Sequence, residues 1–290
     1  SGVNKVTGEE VAIKIIDRKE MQEDDEVALR TEVEILSGID HPNVVKMYEV
    51  FDEPDYLYIV LELMSGGELF DRIVEKESYS EKEAADTISP IVDAIRYCHE
   101  NGIIHRDLKP ENLLYETKEE GAVIKISDFG LARFLPNDNF ATTACGTPGY
   151  VAPEIISGKG YGAPVDIWSI GITLYILLWG FPPFYNEDNA ELFEEIKKGD
   201  FEFPSPYWDD ISDMAKDLIS KILVVKPSER LDIEGIMAHP WITGEDTPRT
   251  ELAEVKEKIK KYNAARKLKK ATLSIMAANR FKNVLKHLTK

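Results

Sequence analysis

The sequence predicts an α+β chain of two lobes, a small β-rich lobe to about Met64 and a larger α-helical lobe after it, followed by a basic C-terminal helix. Three observations predict this. Short β-branched and aromatic runs crowd the first 64 residues; helical periodicity takes over from Glu68; and neither Pro nor Gly occurs after Pro248. With 290 residues, 43% of them hydrophobic, the chain is long enough for two lobes sharing one cleft.

Val11-Ala-Ile-Lys-Ile-Ile16, preceded by the turn pair Thr7-Gly8, reads as a strand. Asp24 to Ile39 has helical spacing, with Val27, Ile35 and Leu36 on one face. Val44 to Val50 and Tyr56 to Leu63 read as further strands. Ser80-x-x-Glu83 is a capping box that opens a helix to Glu100. The apolar run Ile167 to Phe181 is too short to span a bilayer, which takes about 20 apolar residues, and reads as a helix buried in a large core. Asp209 to Leu223 is amphipathic. From Leu252 to Leu288 apolar residues recur at steps of mostly three to five, which predicts one long basic amphipathic helix.

Composition narrows the function. Cys98 and Cys145 have no metal-ligand spacing and form no disulfide framework, so the expectation is a reduced intracellular chain, cytoplasmic with the nucleus as a second compartment. No signal peptide or transmembrane segment is expected. The net charge of -18 is uneven: residues 256–290 carry twelve Lys/Arg against Glu257 alone, or +11, and the other 23 bases and 52 acids make the remainder -29. Such a body attracts basic partners rather than nucleic acid, and a basic tail invites a contact with that body.

The chemistry concentrates in His105-Arg-Asp-Leu-Lys-Pro-Glu-Asn112. Phosphoryl transfer needs an acceptor for a hydroxyl proton and a ligand for magnesium; Asp107 suits the first role and Asn112 the second. Lys109 can neutralise charge on the transferring group. Asp128-Phe-Gly130 supplies a second metal ligand in Asp128, and Val11-Ala-Ile-Lys14 a lysine for the α- and β-phosphates. Glu32, nine residues before His41-Pro-Asn43, lies on the predicted helix where it can hold Lys14. Alone, Lys14 would be a surface lysine and Glu32 a helix-face charge. The eight-residue loop, followed in order by Asp128-Phe-Gly130 and Ala152-Pro-Glu154, is what makes them a set.

These motifs resemble a eukaryotic protein kinase across roughly residues 3–242. With Gly66-Gly-Glu-Leu-Phe-Asp71, Ala144-Cys-Gly-Thr-Pro-Gly-Tyr150, Asp166-Ile-Trp-Ser-Ile-Gly171, Arg230 and His239-Pro-Trp-Ile242, the resemblance is strongest to the calmodulin-dependent kinase group, types I and IV. It implies a bilobal protein-kinase fold with ATP and Mg2+ in the cleft, Leu61 as gatekeeper, and Glu62 to Met64 as the hinge whose backbone binds adenine. It also implies a Glu154–Arg230 pair and a brace on the catalytic loop from Asp166. Glu68 and Glu111 match acids that contact a basic residue three before the target Ser/Thr, and Lys109 with Thr147 matches the pair that favours Ser/Thr over Tyr. Thr143 matches a phosphosite served by an upstream activating kinase, with Arg106 as the phosphate's partner and Thr142 as the neighbouring alternative. No G-x-G-x-x-G precedes Lys14; the expectation is that this mobile phosphate-covering loop belongs to the protein but not to these 290 residues, and truncation or true absence stays open.

The tail resembles the autoinhibitory and calmodulin-binding segment of the group, around Tyr262-Asn263 and Arg266-Lys267-Leu268-Lys269. The expected division is a kinase domain over 1–242 and a regulatory segment over 243–290. Lys270 extends the basic run, and Leu268, Ile275 and Phe281 have a 1-8-14 anchor spacing for calmodulin, through which Ca2+ would act indirectly. Thr272, three residues after Lys269, is a candidate inhibitory phosphosite. Val255 stands where type II kinases carry their autonomy threonine. A membrane-surface helix competes for the tail. The alternatives for the whole chain are a kinase with fused EF-hands beyond Lys290, and a pseudokinase or calmodulin-binding scaffold. No D-x-[DN]-x-[DN]-G loop occurs within the chain, and Lys14, Asp107, Asn112 and Asp128 are intact.

Overall fold

The computed structural model describes residues 1–288 apart from Glu20, 136–140, Thr142, Ala144 and 245–246, with the backbone alone for Ala253 and 273–288. The small lobe is an antiparallel sheet of β1 (Gly2–Val3), β2 (Glu10–Asp17), β3 (Met47–Asp52) and β4 (Tyr56–Glu62), ordered β1-β2-β4-β3, with α1 (Glu23–Gly38) packed on it. The register pairs Lys14 with Ile59 and Val11 with Glu62. Period-2 alternation therefore gives β2 two faces, one carrying Ala12 and Lys14 and the other Ile13 and Ile15. Leu29 of α1 joins Leu57 and Ile59 in a small core of its own.

The large lobe contains α2 (Leu69–Glu75), α3 (Glu81–Glu100), β5 (Ile103–Ile104), β6 (Leu113–Tyr115), β7 (Ile124–Ile126), β8 (Arg133–Phe134), α4 (Pro153–Ile156), α5 (Pro164–Trp179), α6 (Asn189–Lys198), α7 (Asp213–Ile222), α8 (Ile233–Met237) and α9 (Pro240–Thr243). The Ser80 cap forms, its hydroxyl accepting from the Glu83 amide at 3.4 Å; the Glu83 carboxylate accepts from that hydroxyl at 3.3 Å. α5 is buried along nearly its whole length, so its continuous apolar run is the lobe's central core helix.

Two predicted boundaries move. Val44 and Val45 do not open β3; Val44 bridges to Ile126 and the Val45 amide donates to the Ile126 carbonyl, which sews the two lobes together. α7 starts at Asp213 rather than Asp209, because the Ser212 hydroxyl caps it by accepting from the Ala215 amide.

The tail forms α10 (Ala253–Leu288). Its start is not separate from the large lobe. Leu252, Val255 and Ile259 are buried in the main core, and the Leu252 amide donates to the Tyr79 carbonyl at 2.7 Å. Gly180 ends α5 at φ +81°, and a Cβ there would come within 2.9 Å of the Val255 carbonyl and the Ile259 amide. Only glycine satisfies both the left-handed turn and that approach. Continuous packing thus runs through the expected domain end at residue 242.

Candidate active site

Between the lobes lies a cavity of about 260 Å3, lined by Lys14, Glu32, Leu36, Val45, Leu61, Ser127, Asp128 and Phe129. A larger hollow of about 360 Å3 sits on the face of the sheet that carries Ile13, away from these charged groups. The Lys14 ammonium lies 2.6 Å from Glu32 Oε1, so a pair separated by 18 residues closes one wall of the cleft. Glu32 is buried, and Lys14 is partly open to the cleft.

The catalytic loop forms the floor. Lys109 Nζ lies 2.5 Å from Asp107 Oδ2, and the Thr147 hydroxyl donates to Asp107 Oδ1 at 2.7 Å. Lys109 also donates to the Thr147 oxygen at 2.8 Å, closing a triangle. Both hydrogen bonds of the Asn112 side chain run from Nδ2, the shorter to the Asp107 carbonyl at 2.8 Å, an orientation in which its oxygen could meet a cation. Asp128 is exposed at the cleft and has φ +57°. Phe129, beside it, is buried edge-on against the His105 ring at 4.9 Å. Among the described residues no three His, Cys, Asp or Glu side chains converge on one point. Asn112 and Asp128 offer oxygens of the kind that could hold a magnesium ion, which commonly takes further ligands from nucleotide phosphates.

Asp166, wholly buried on α5, holds this loop in shape. Its carboxylate accepts from the His105 and Arg106 amides at 2.9 and 2.8 Å and lies 2.9 Å from His99 Nε2. Arg106 has φ +69°, a conformation costing a non-glycine residue roughly 1–3 kcal/mol, and the two amide bonds offset it. Burial alone would raise the Asp166 pKa, but the hydrogen bond and charge of His99, with His105, outweigh it and hold the carboxyl below its usual range. A depressed acid contributes stability that is fully present above the unfolded value, about 3.9, and is lost as pH falls through the lower folded value. Asp166→Asn is therefore expected to cost about 1–3 kcal/mol near neutral pH. Its deficit against wild type should shrink in denaturant titrations carried down the acid limb. A deficit independent of pH would mean that the ionised form is not what stabilises the loop.

The Arg106 side chain donates through Nε to the Leu131 carbonyl at 2.6 Å and through Nη1 to the Tyr161 hydroxyl at 2.9 Å. That hydroxyl donates on to the Thr143 carbonyl at 2.6 Å, so a relay connects the catalytic loop to Thr143, whose side chain is exposed. Tyr161 escaped the sequence reading because no local pattern distinguishes it from any core tyrosine. Thr142 lies outside the described residues. Arg230 and Glu154 form a bidentate buried pair at 2.9 and 3.0 Å.

Glu68 and Glu111 converge on Arg266 of α10. Arg266 Nη2 donates to Glu68, and Nη1 sits 2.7 Å from Glu111 Oε2 in an ion contact without hydrogen-bond angles. Burial works against the guanidinium's charge, but Glu111 and Glu68 outweigh it and raise the Arg266 pKa. Lys267 reaches both Asp71 oxygens at 2.7 Å, and Asn263 donates to Asp71 at 2.7 Å. Tyr262 packs edge-on to Phe70 and Phe181, and Lys256 donates to the Lys76 and Glu77 carbonyls behind the end of α2. Asp71 belonged to a quoted motif, but only the fold reveals its contact with the tail. Leu268, Lys269, Lys270 and Thr272 are exposed, and the Thr272 hydroxyl donates to the Leu268 carbonyl. The Ile275 and Phe281 side chains lie outside the described residues. No helix among the described residues is long and apolar enough to cross a membrane.

The protein kinase domain model matches residues 1–242. The chain is 47% identical over 262 residues to calcium/calmodulin-dependent protein kinase type 1 of Macrobrachium nipponense, covering 90% of this chain and 75% of that protein. It is 46% identical over 280 residues to calcium/calmodulin-dependent protein kinase type IV of Homo sapiens, covering 96% of this chain and 58% of that longer protein. Myosin light chain kinase A of Dictyostelium discoideum is 49% identical over 249 residues, 86% and 84% of the two chains. With the match spanning both lobes and the cleft between them, the chain belongs to the protein kinase family.

Proposed function

We propose that this chain is an ATP-dependent serine/threonine protein kinase, held off by α10 and released by calcium-loaded calmodulin. The observation that carries the reading is the placement of Arg266 between Glu68 and Glu111, the two acids expected to hold a basic residue of the substrate. A tail cation in that position excludes a substrate cation from it. The similarity to calmodulin-dependent kinases supports the identity of the releasing partner. Calmodulin grips basic amphipathic helices by their apolar anchors, and Leu268 is exposed on the docked helix.

In the reaction, Asp107 accepts the proton of the substrate Ser or Thr hydroxyl as it attacks the γ-phosphorus of ATP. Thr147 and Lys109 fix both oxygens of that carboxylate, and Lys109 is placed to offset charge on the transferring group. Lys14, positioned by Glu32, holds the α- and β-phosphates, while Leu61 and the backbone of 62–64 line the adenine end. Asn112 and Asp128 would hold magnesium, which neutralises phosphate charge when bound. Peptides with a basic residue three before the target are the expected substrates. The direct test is phosphorylation of Ser, Thr and Tyr versions of one such peptide. Transfer to Ser and Thr is expected, and equal transfer to Tyr would remove the specificity assigned to Lys109 and Thr147.

Phosphate on Thr143 would bring charge-assisted hydrogen bonds to the Arg106–Tyr161 relay. At roughly 1.5–3 kcal/mol for such a bond, an upstream kinase is expected to raise activity about tenfold or more. Thr143→Ala should lose that gain. Full activation of the variant, with phosphate mapped elsewhere, would take Thr143 out of the scheme.

A further inference from the structure

β7 delivers Asp128 to the cleft, and its two isoleucines, Ile124 and Ile126, are buried in the core. Lys125 alternates onto the other face, the one shared by Ser127 at the cleft. A lysine there would by default reach for water. Instead its ammonium lies 2.7 and 2.9 Å from the two carboxylate oxygens of Glu62, with each side chain only 13% exposed. Glu62 is held a second time: Oε2 accepts from the Lys46 amide at 3.1 Å, and the Glu62 amide donates to the Lys46 carbonyl at 2.9 Å.

One carboxylate thus ties together the chain before β3, the stretch joining the lobes, and the strand that ends two residues before Asp128. A largely desolvated pair contacting both oxygens restrains its backbone segments far more than a surface pair does. The Glu62 amide is spent on Lys46, so an adenine ring has to be met by the Glu62 carbonyl and the residues after it. The direction of those groups depends on where Glu62 is pinned.

We propose that Lys125 is a positioning residue for the nucleotide. Through Glu62 it fixes the adenine-facing backbone of 62–64 relative to Lys14 and Asp128 at the phosphate end. This rests on the reading of the cleft as an ATP site. Lys125 itself touches neither ATP nor the transferring group.

The test uses the full chain, saturated with calcium/calmodulin, and four variants: Lys125→Met, Glu62→Gln, the double Lys125→Met/Glu62→Gln, and Lys125→Arg. Steady-state kinetics give separate KM values for ATP and for a basic peptide, and a fluorescent ATP analogue gives binding without turnover. Lys125→Met is expected to raise the KM for ATP and the analogue's Kd about tenfold, with peptide KM within about twofold of wild type. Lys125→Arg should recover most of the loss, and the double variant should be no worse than the singles, since all interrupt one contact. If Lys125→Met fails to fold, the double variant, which leaves no lone buried charge, carries the same expectation. An unchanged KM for ATP overturns the proposal. So does a joint rise in both KM values, which would indicate general loosening of the lobes, or a rise in kcat alone, which would make the pair a restraint on lobe movement. Wild-type protein that neither binds the analogue nor phosphorylates the peptide would instead defeat the kinase reading, and the proposal with it.

Discussion

Asp107→Asn is expected to lower peptide phosphorylation at least about a hundredfold, the lower end for loss of a positioned general base, equivalent to about 2.7 kcal/mol of barrier. The variant should keep its fold, because an amide oxygen can still accept from Thr147 and the loop's shape is set by Asp166 rather than by Asp107. ATP binding should also survive, since Lys14 and the adenine end are untouched. Lys14→Met should be comparably damaging for a different reason: it removes the phosphate contact and strands the buried Glu32 carboxylate. Peptide phosphorylation at the wild-type rate by either variant would mean that the assigned roles are wrong.

Arg266→Glu is expected to raise calcium-free activity at least about tenfold. The guanidinium makes a charge-assisted hydrogen bond to Glu68 and an ion contact with Glu111, in a position only 13% exposed. Such a bond is worth about 1.5–3 kcal/mol, or roughly 10–150-fold in docking equilibrium, and a carboxylate there adds repulsion. The rest of α10 should stay in place. Leu252, Val255 and Ile259 are anchored by apolar burial, each side chain contributing about 1.5–3 kcal/mol, whereas residues 263–267 are held by charge. Release therefore begins beyond Ile259. A cut at residue 242 would instead strip the buried apolar side chains Leu252, Val255 and Ile259 and bare the surface around Gly180, confounding release with unfolding. High salt should mimic Arg266→Glu in part, because ionic contacts screen and apolar ones do not. Calcium-free activity unchanged in Arg266→Glu, measured alongside an intact melting transition, would exclude this contact as the lock.

Much of this was legible in the sequence because kinase chemistry is partly consecutive. His105 to Asn112 places Asp107, Lys109 and Asn112, the residues proposed as proton acceptor, charge-neutralising lysine and metal ligand, within eight residues. The two-lobed architecture was visible because strand patterns before Met64 give way to helical periodicity after Glu68, with the continuous apolar run of α5 marking the large lobe's core. Other contacts were not visible because their partners lie far apart. Lys125 meets Glu62 across 63 residues, and Tyr161 joins Arg106 to Thr143 across 55 and 18. Nothing local separates those side chains from solvated ones. In the tail, helicity and a charge contact with the acidic body were readable, but not where the docked face ends: Arg266 and Lys267 are engaged by acids from two separate segments, while Leu268 beside them is exposed. Where apolar period and capping compete, as at residues 209–213, the cap decides the boundary and the period does not reveal it.

The central claim is that α10 restrains an otherwise competent kinase. Its most direct test compares the intact chain with one ending at Lys261, both phosphorylated at Thr143, each assayed on a basic peptide with and without calcium/calmodulin. The shortened chain keeps the buried anchors Leu252, Val255 and Ile259 and loses Tyr262, Asn263, Arg266 and Lys267. The expected result is low activity only for the intact chain without calmodulin, with the other three samples alike and at least about tenfold higher. Equal activity in all four would contradict autoinhibition by the tail.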